Sequence, residues 1–163
     1  MNHQSKFTRS LASAGIAFLT AVAFSGFASA GECPADKVKE GAVTGGETMP
    51  VGVTDTVIGS IDLSPKGGDF RDNTMRLRKL VIAPGGVVPW HEHSERPANI
   101  YVLSGQIEEY RANCEVPIVH KTGDVAIEFG KGFAHWWKNT GSETVVLLSA
   151  DIIHAEKKDD HMM

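Results

Sequence analysis

From Val51 onward the chain reads as short runs in which apolar and polar positions alternate, the period of a strand rather than of a helix. "VTDTVIGSIDL" (Val53 to Leu63) is rich in β-branched residues and ends at the breaker cluster Ser64-Pro65-Lys66-Gly67-Gly68. "TMRLRKLVIA" (Thr74 to Ala83) sets Met75, Leu77 and Lys79 against Arg76, Arg78 and Leu80, turns apolar, and stops at Pro84-Gly85-Gly86. "NIYVLSG" and "QIEEYR" flank Ser104-Gly105 and predict the two arms of a hairpin. "VPIVHK" runs into Thr122-Gly123-Asp124, "VAIEF" follows it, "AHWWKN" leads to Thr140-Gly141-Ser142, and "TVVLLSADII" closes the series. Eight strands at this spacing, with glycine at most breaks, predict an all-β sandwich or small barrel with little helix. One domain over residues 51–154 accounts for them, preceded by an irregular arm over 31–50 and followed by a charged, solvated tail over 155–163.

The first thirty residues follow a different pattern. Lys6 and Arg9 stand before an apolar run from Leu11 to Phe27, and Ala28-Ser29-Ala30 supplies a small-x-small end. That order is a secretory signal peptide over residues 1–30, cleaved to leave no stable membrane anchor; an uncleaved anchor is the competing reading. Export predicts a periplasmic or secreted protein. Loss of Lys6 and Arg9 takes the formal charge from -4 to -6, and an acidic chain without a basic run offers nucleic acid no footprint. The two cysteines, Cys33 and Cys114, both lie in the exported part, where they pair most simply as a disulfide; two free thiols, one of them a metal ligand, are the alternative.

The chemistry concentrates in "WHEHSERPANIYVLSG". Side chains two apart on a strand share a face, so His91 and His93 point together into the barrel while Trp90 and Glu92 point away. A histidine pair alone is weak evidence for a metal. Its setting is more specific: Gly85, five residues, His91, one residue, His93, and later Gly105 resemble the first signature of the cupin superfamily. "GDVAIEFGKGFAHWWKN" approaches the second, with Gly123, Gly132, His135 and Asn139, although one residue is added and the signature's proline is missing. The chain is thereby identified as a small single-domain cupin of the type-2 kind.

The resemblance implies a cupin-type β-barrel, the double-stranded β-helix or jelly roll. It places His91, His93 and His135 on the family's metal histidines. The family's glutamate falls at Ala98, or at Pro97 with the shorter spacing, and neither side chain coordinates. Two ligand sets follow: three histidines with water, or the same three with Glu95 bending in. A cupin that has lost its metal is the bland alternative. Three imidazoles suit a divalent iron, manganese, nickel, copper or zinc ion without selecting among them. Trp137 shares the strand face of His135 and is the best candidate pocket wall, with Tyr101 as a second; Glu95 and Tyr101 are also weak catalytic candidates. Arg96 and Arg111 add positive potential wherever they reach the pocket. The expected function is a dioxygenase-like oxidoreductase acting on a small organic substrate that chelates the metal through oxygen. The alternative is a non-catalytic cupin that binds or senses a metal or small ligand. Homodimerisation is the family's habit.

Overall fold

Each alternating segment forms a strand, and every strand pairing is antiparallel in the computed structural model, which describes residues 31–154. The strands are β1 (Val51–Asp62), β2 (Asn73–Glu92), β3 (Ala98–Ser104), β4 (Gln106–Arg111), β5 (Ile118–Lys121), β6 (Val125–Glu128), β7 (Ala134–Lys138) and β8 (Val145–His154). The only helical pieces among the described residues are three single turns of 3-10 helix, at Ala35–Lys37, Ser64–Lys66 and Gly68–Phe70. The strand order β5-β4-β7-β2-β8-β3-β6, with β1 added beside β2, curls into a nearly closed barrel of the cupin jelly-roll kind. The predicted signal peptide and tail lie outside the described residues.

Two sequence expectations change. The stop at Pro84-Gly85-Gly86 is a bend, not an end: β2 runs through it, 20 residues in all, and belongs to both halves of the barrel. Its first part pairs with β1 and β8 and its last part with β7. Gly85 takes φ 74°, and a Cβ on Gly86 would meet the Ala83 carbonyl oxygen at 2.7 Å, so the bend needs both glycines. The buried Asn139 fastens it, its amide reaching the carbonyls of Ile82, Ala83 and Glu143 while its backbone exchanges bonds with Gly85 and Gly86. Likewise the arms flanking Gly105 do not form a hairpin. β3 pairs with β6 and β8, β4 with β5 and β7, and Gly105 (φ 89°) turns the corner between the two halves. A turn signal marks a change of direction, and only the burial of the flanking faces decides which partner each strand meets.

The interior is filled by inward positions of these strands, among them Leu80, Ile82, Val88, Ile100, Val102, Ile107, Trp137 and Leu147. The segment before β1 lies against its own barrel. Val38 bridges Cys114, the Glu47 carbonyl accepts from Trp90 N–H at 2.7 Å, and Cys33 and Cys114 form a disulfide across 81 residues. Closing a loop of that length stabilises the fold by on the order of 4 kcal/mol in the chain-entropy account.

Candidate metal centre

Strand parity delivers three imidazoles to one end of the barrel. β2 carries His91 and leads into His93, and β7 carries His135, the cross-strand partner of His91. The ring centroids lie 4.5 to 5.1 Å apart. Each Nδ1 faces an acceptor: the Pro89 carbonyl at 2.8 Å from His91, the Arg96 carbonyl at 2.7 Å from His93, and Glu109 Oε1 at 2.6 Å from His135. Carbonyls and an ionised carboxylate only accept, so each Nδ1 holds the proton and each Nε2 turns a lone pair inward. The Nε2 atoms of His91 and His135 approach to 3.1 Å with no hydrogen left to share.

The fourth group is Glu128, on β6. Its Oε2 lies 3.1 Å from His93 Nε2, and its Oε1 lies 3.6 Å from His135 Nε2. One ligating atom from each of His91, His93, Glu128 and His135 falls within 4.8 Å of the others. Metal bonds of roughly 2 Å bring donors to within about 4 Å of one another, so small side-chain adjustments suffice for one ion. The electrostatics agree. Burial, then the neighbouring imidazoles, push His91 well below the usual histidine range and His93 down to about 3. Burial, then the charge on Glu109, hold the Glu128 carboxyl well above the usual carboxylate range. His93 Nε2 and Glu128 Oε1 are both buried without a hydrogen-bond partner. A proton on Glu128 would serve one of three nitrogens. A cation serves all four groups, so the donor set fits a metal.

Glu128 was not legible because its strand inverts the expected pattern. In "VAIEF" the apolar residues Val125, Ile127 and Phe129 are exposed, while Ala126 and Glu128 are buried. A signal did exist. Glu128 is the direct cross-strand partner of Ala98, the position on which the family's glutamate falls. Facing side chains on adjacent strands start about 5 Å apart, so a small residue on β3 leaves room for a carboxylate from β6. On its other side Ala98 faces Asp151, but that carboxylate is taken by Arg76 (2.9 and 2.7 Å) and Arg78 (3.0 Å).

The remaining candidates divide. Glu95 is exposed in the turn between β2 and β3, outside the cluster, because the strand ends before it. Tyr101 is 41% exposed on the outer face, since Ile100 and Val102 take the inward parity, so its hydroxyl does not line the pocket. Trp137 is buried and does line it, whereas Trp136 points outward and stacks on Tyr110 at 4.1 Å. The pocket beside the histidines is a small cavity of about 20 Å³ that opens toward solvent, walled by Leu80, Val88, Ile100, Trp137 and Leu147, with Arg78, Arg96 and Ser149 as its other polar groups. Arg111 does not reach it. Arg111 instead grips Glu109 through Nε and Nη2, both at 2.8 Å, and His120 Nε2 meets the same carboxylate at 2.8 Å. Although burial opposes it, these bonds with that of His135 hold Glu109 well below the usual carboxylate range.

Barrel and histidine cluster together define a cupin. The cupin-domain family profile matches residues 78–151, and over that segment the chain is a cupin domain. It is 34% identical over 80 residues to Germin-like protein subfamily 2 member 2 of Arabidopsis thaliana, an alignment covering 47% of this chain and 36% of that protein. The chain thus spans about a third of that relative's length. Among solved structures it is similar to a Klebsiella pneumoniae protein with a double-stranded β-helix domain: 23% identity, TM-score 0.47, 75% of this chain and 93% of that one covered. It is also similar to a recombinant oxalate oxidase in complex with glycolate, at 19% identity and TM-score 0.47, with 68% of this chain and 58% of that one covered.

Proposed function

We propose that this chain is an exported, metal-dependent cupin in which His91, His93, His135 and Glu128 hold one divalent transition ion. In this reading it acts as a dioxygenase-like oxidoreductase on a small organic molecule that binds through oxygen. The observation that carries it is the convergence of three Nε2 atoms and one carboxyl group on a buried point where His93 Nε2 and Glu128 Oε1 have no hydrogen-bond partner. When bound, the ion supplies Lewis acidity and, if redox-active, a route for electrons to dioxygen.

The chain's own residues define what the pocket accepts. Leu80, Ile100, Trp137 and Leu147 exclude water from the side facing the histidines, which strengthens every polar contact made there. Arg96 lines the pocket beside His93 and favours an anionic oxygen, while Arg78 is tied to Asp55 and Asp151. Beyond the four ligands, no residue lining the pocket is a carboxylate or an imidazole, so no general base stands ready. This favours substrates whose reactive form is already an anion, such as a carboxylate or an enolate. The disulfide supports export to an oxidising compartment, periplasmic or extracellular.

The test is elemental analysis of the purified protein, together with oxygen consumption in the presence of chelating carboxylates and enolisable ketones. Stoichiometric metal and turnover that vanishes in His91→Ala are expected. Stoichiometric metal without turnover on any of them would turn the reading to a metal- or ligand-binding module, and an inability to bind metal would overturn it.

A further inference from the structure

The first described residues of the arm lie against His120 and Arg111, two of the side chains that bond Glu109. Gly31 is buried against His120: a Cβ at this position would meet His120 Nδ1 at 2.9 Å, and the backbone is left-handed at φ 84°. Its neighbour Glu32 accepts from Arg111 Nη1 at 3.2 Å. Cys33 is covalently joined to Cys114, whose own N–H donates to the Arg111 carbonyl at 3.0 Å. Glu109 has three partners, His120, Arg111 and His135. The arm therefore touches two of them, and the third is a metal-cluster histidine.

We propose that Gly31–Glu32–Cys33 is a disulfide-seated brace for the metal centre, acting through Arg111 and Glu109 to fix His135, so that metal affinity depends on the oxidation state of Cys33–Cys114. The proposal rests on the metal reading above. Glu32 and Glu109 are positioning residues, and neither lines the pocket. Glu109 accepts the Nδ1 proton of His135 and so keeps the Nε2 lone pair aimed at the cluster, and Arg111 keeps Glu109 in place. Arg111 also lies 4.7 Å over the Phe133 ring, which itself packs 5.2 Å from His135, so a shift of the guanidinium reaches the histidine by two routes. Half-buried Cys33 is the accessible end of the bond, and Cys114 is buried.

A water-soluble phosphine breaks the S–S bond cleanly. It becomes the phosphine oxide by taking the oxygen of one water, and two electrons and two protons reach the sulfurs to leave two thiols. Without the bond the arm is held near this point by the Glu32–Arg111 and Lys39–Glu115 pairs and by backbone bonds such as those of Lys39, Val43 and Glu115. Water then gains access to Arg111 and Glu109.

The experiment titrates Co(II) into the full chain against a competing chelator, in the oxidised protein and in the phosphine-reduced protein after removal of the reductant under anaerobic conditions. Outer-shell partners of metal histidines typically change affinity about 10–100-fold. Glu109→Gln is expected to fall in that range, with reduction and Glu32→Gln each weakening Co(II) by roughly tenfold, toward its lower end. The hydrogen-bonded Nδ1 proton of His135 should shift in the proton NMR spectrum on reduction, a change that general loosening elsewhere would not produce. Glu32→Gln keeps the disulfide and guards against a reduced protein that merely unfolds. Equal Co(II) affinity in both redox states and in Glu32→Gln would overturn the brace alone. No Co(II) binding by the oxidised wild type would overturn the metal reading and the brace with it.

Discussion

Two glutamates are buried on either side of His135, and their surroundings are opposites. Glu109, on the floor side, receives hydrogen bonds from two imidazoles and twice from one guanidinium, and it is held well below the usual carboxylate range. Glu128, on the pocket side, has an oxygen without any hydrogen-bond partner and is held well above it. Both are essentially inaccessible to solvent, so burial does not separate them. The difference lies in what faces each: donors on the floor, lone pairs in the pocket. A saturated carboxylate is part of the scaffold. An unsaturated one, set among three imidazoles, suits a cation.

The comparison is open to breakage at several strengths. Replacing Glu109 with alanine leaves the buried Arg111 with only the part-exposed Glu32 carboxylate, so urea denaturation of metal-free protein should show a loss toward the lower end of about 3–5 kcal/mol. Glu128→Gln should behave the other way, with metal-free stability unchanged or raised. Its metal affinity should fall by on the order of a hundredfold, since a structural zinc site of about 10–16 kcal/mol divides into roughly 3 kcal/mol per ligand. Similar effects of both substitutions on both quantities would erase the distinction.

Acidity provides a third handle, and its sign differs between the two groups. The lowered Glu109 contributes stability that is present above about pH 4.5 and lost as the pH falls through its folded value. The raised Glu128 contributes stability that is present below about pH 4.5 and lost as the pH rises through its folded value. In metal-free protein, the stability gap between wild type and Glu109→Gln should therefore widen as the pH rises through the acid range. Over the higher range in which Glu128 titrates, Glu128→Gln should gain on wild type. Parallel curves for the two variants would contradict the assignment. The smallest effect belongs to Tyr101→Phe, which alters an exposed hydroxyl outside the pocket and should change stability by less than about 0.5 kcal/mol and metal affinity not at all.

Much of this molecule is legible in its strand alternation. The barrel follows from the eight alternating segments, and the shared face of His91 and His93 follows from their spacing. The opposed faces of Trp136 and Trp137 follow from the same two-residue period. What escaped is informative. In β6 the exposed Val125, Ile127 and Phe129 carry the β-propensity while Ala126 and Glu128 face inward, so hydrophobicity points to the wrong face. In β4 the inward positions are Ile107, Glu109 and Arg111, a charged pair sharing parity with a core residue, a signal that alternation alone contains. The exchange of Ala98 for Glu128 is a matter of register between two strands some thirty residues apart, and register is decided by the assembled barrel rather than by either segment.

The most direct test of the central claim, that Glu128 completes the three-histidine site, is a calorimetric titration of Co(II) into metal-free wild type, Glu128→Gln and Glu95→Gln. One ion per wild-type chain is expected, with an affinity that Glu95→Gln leaves unchanged and Glu128→Gln lowers by on the order of a hundredfold. Wild-type affinity in Glu128→Gln, or a loss confined to Glu95→Gln, would contradict it.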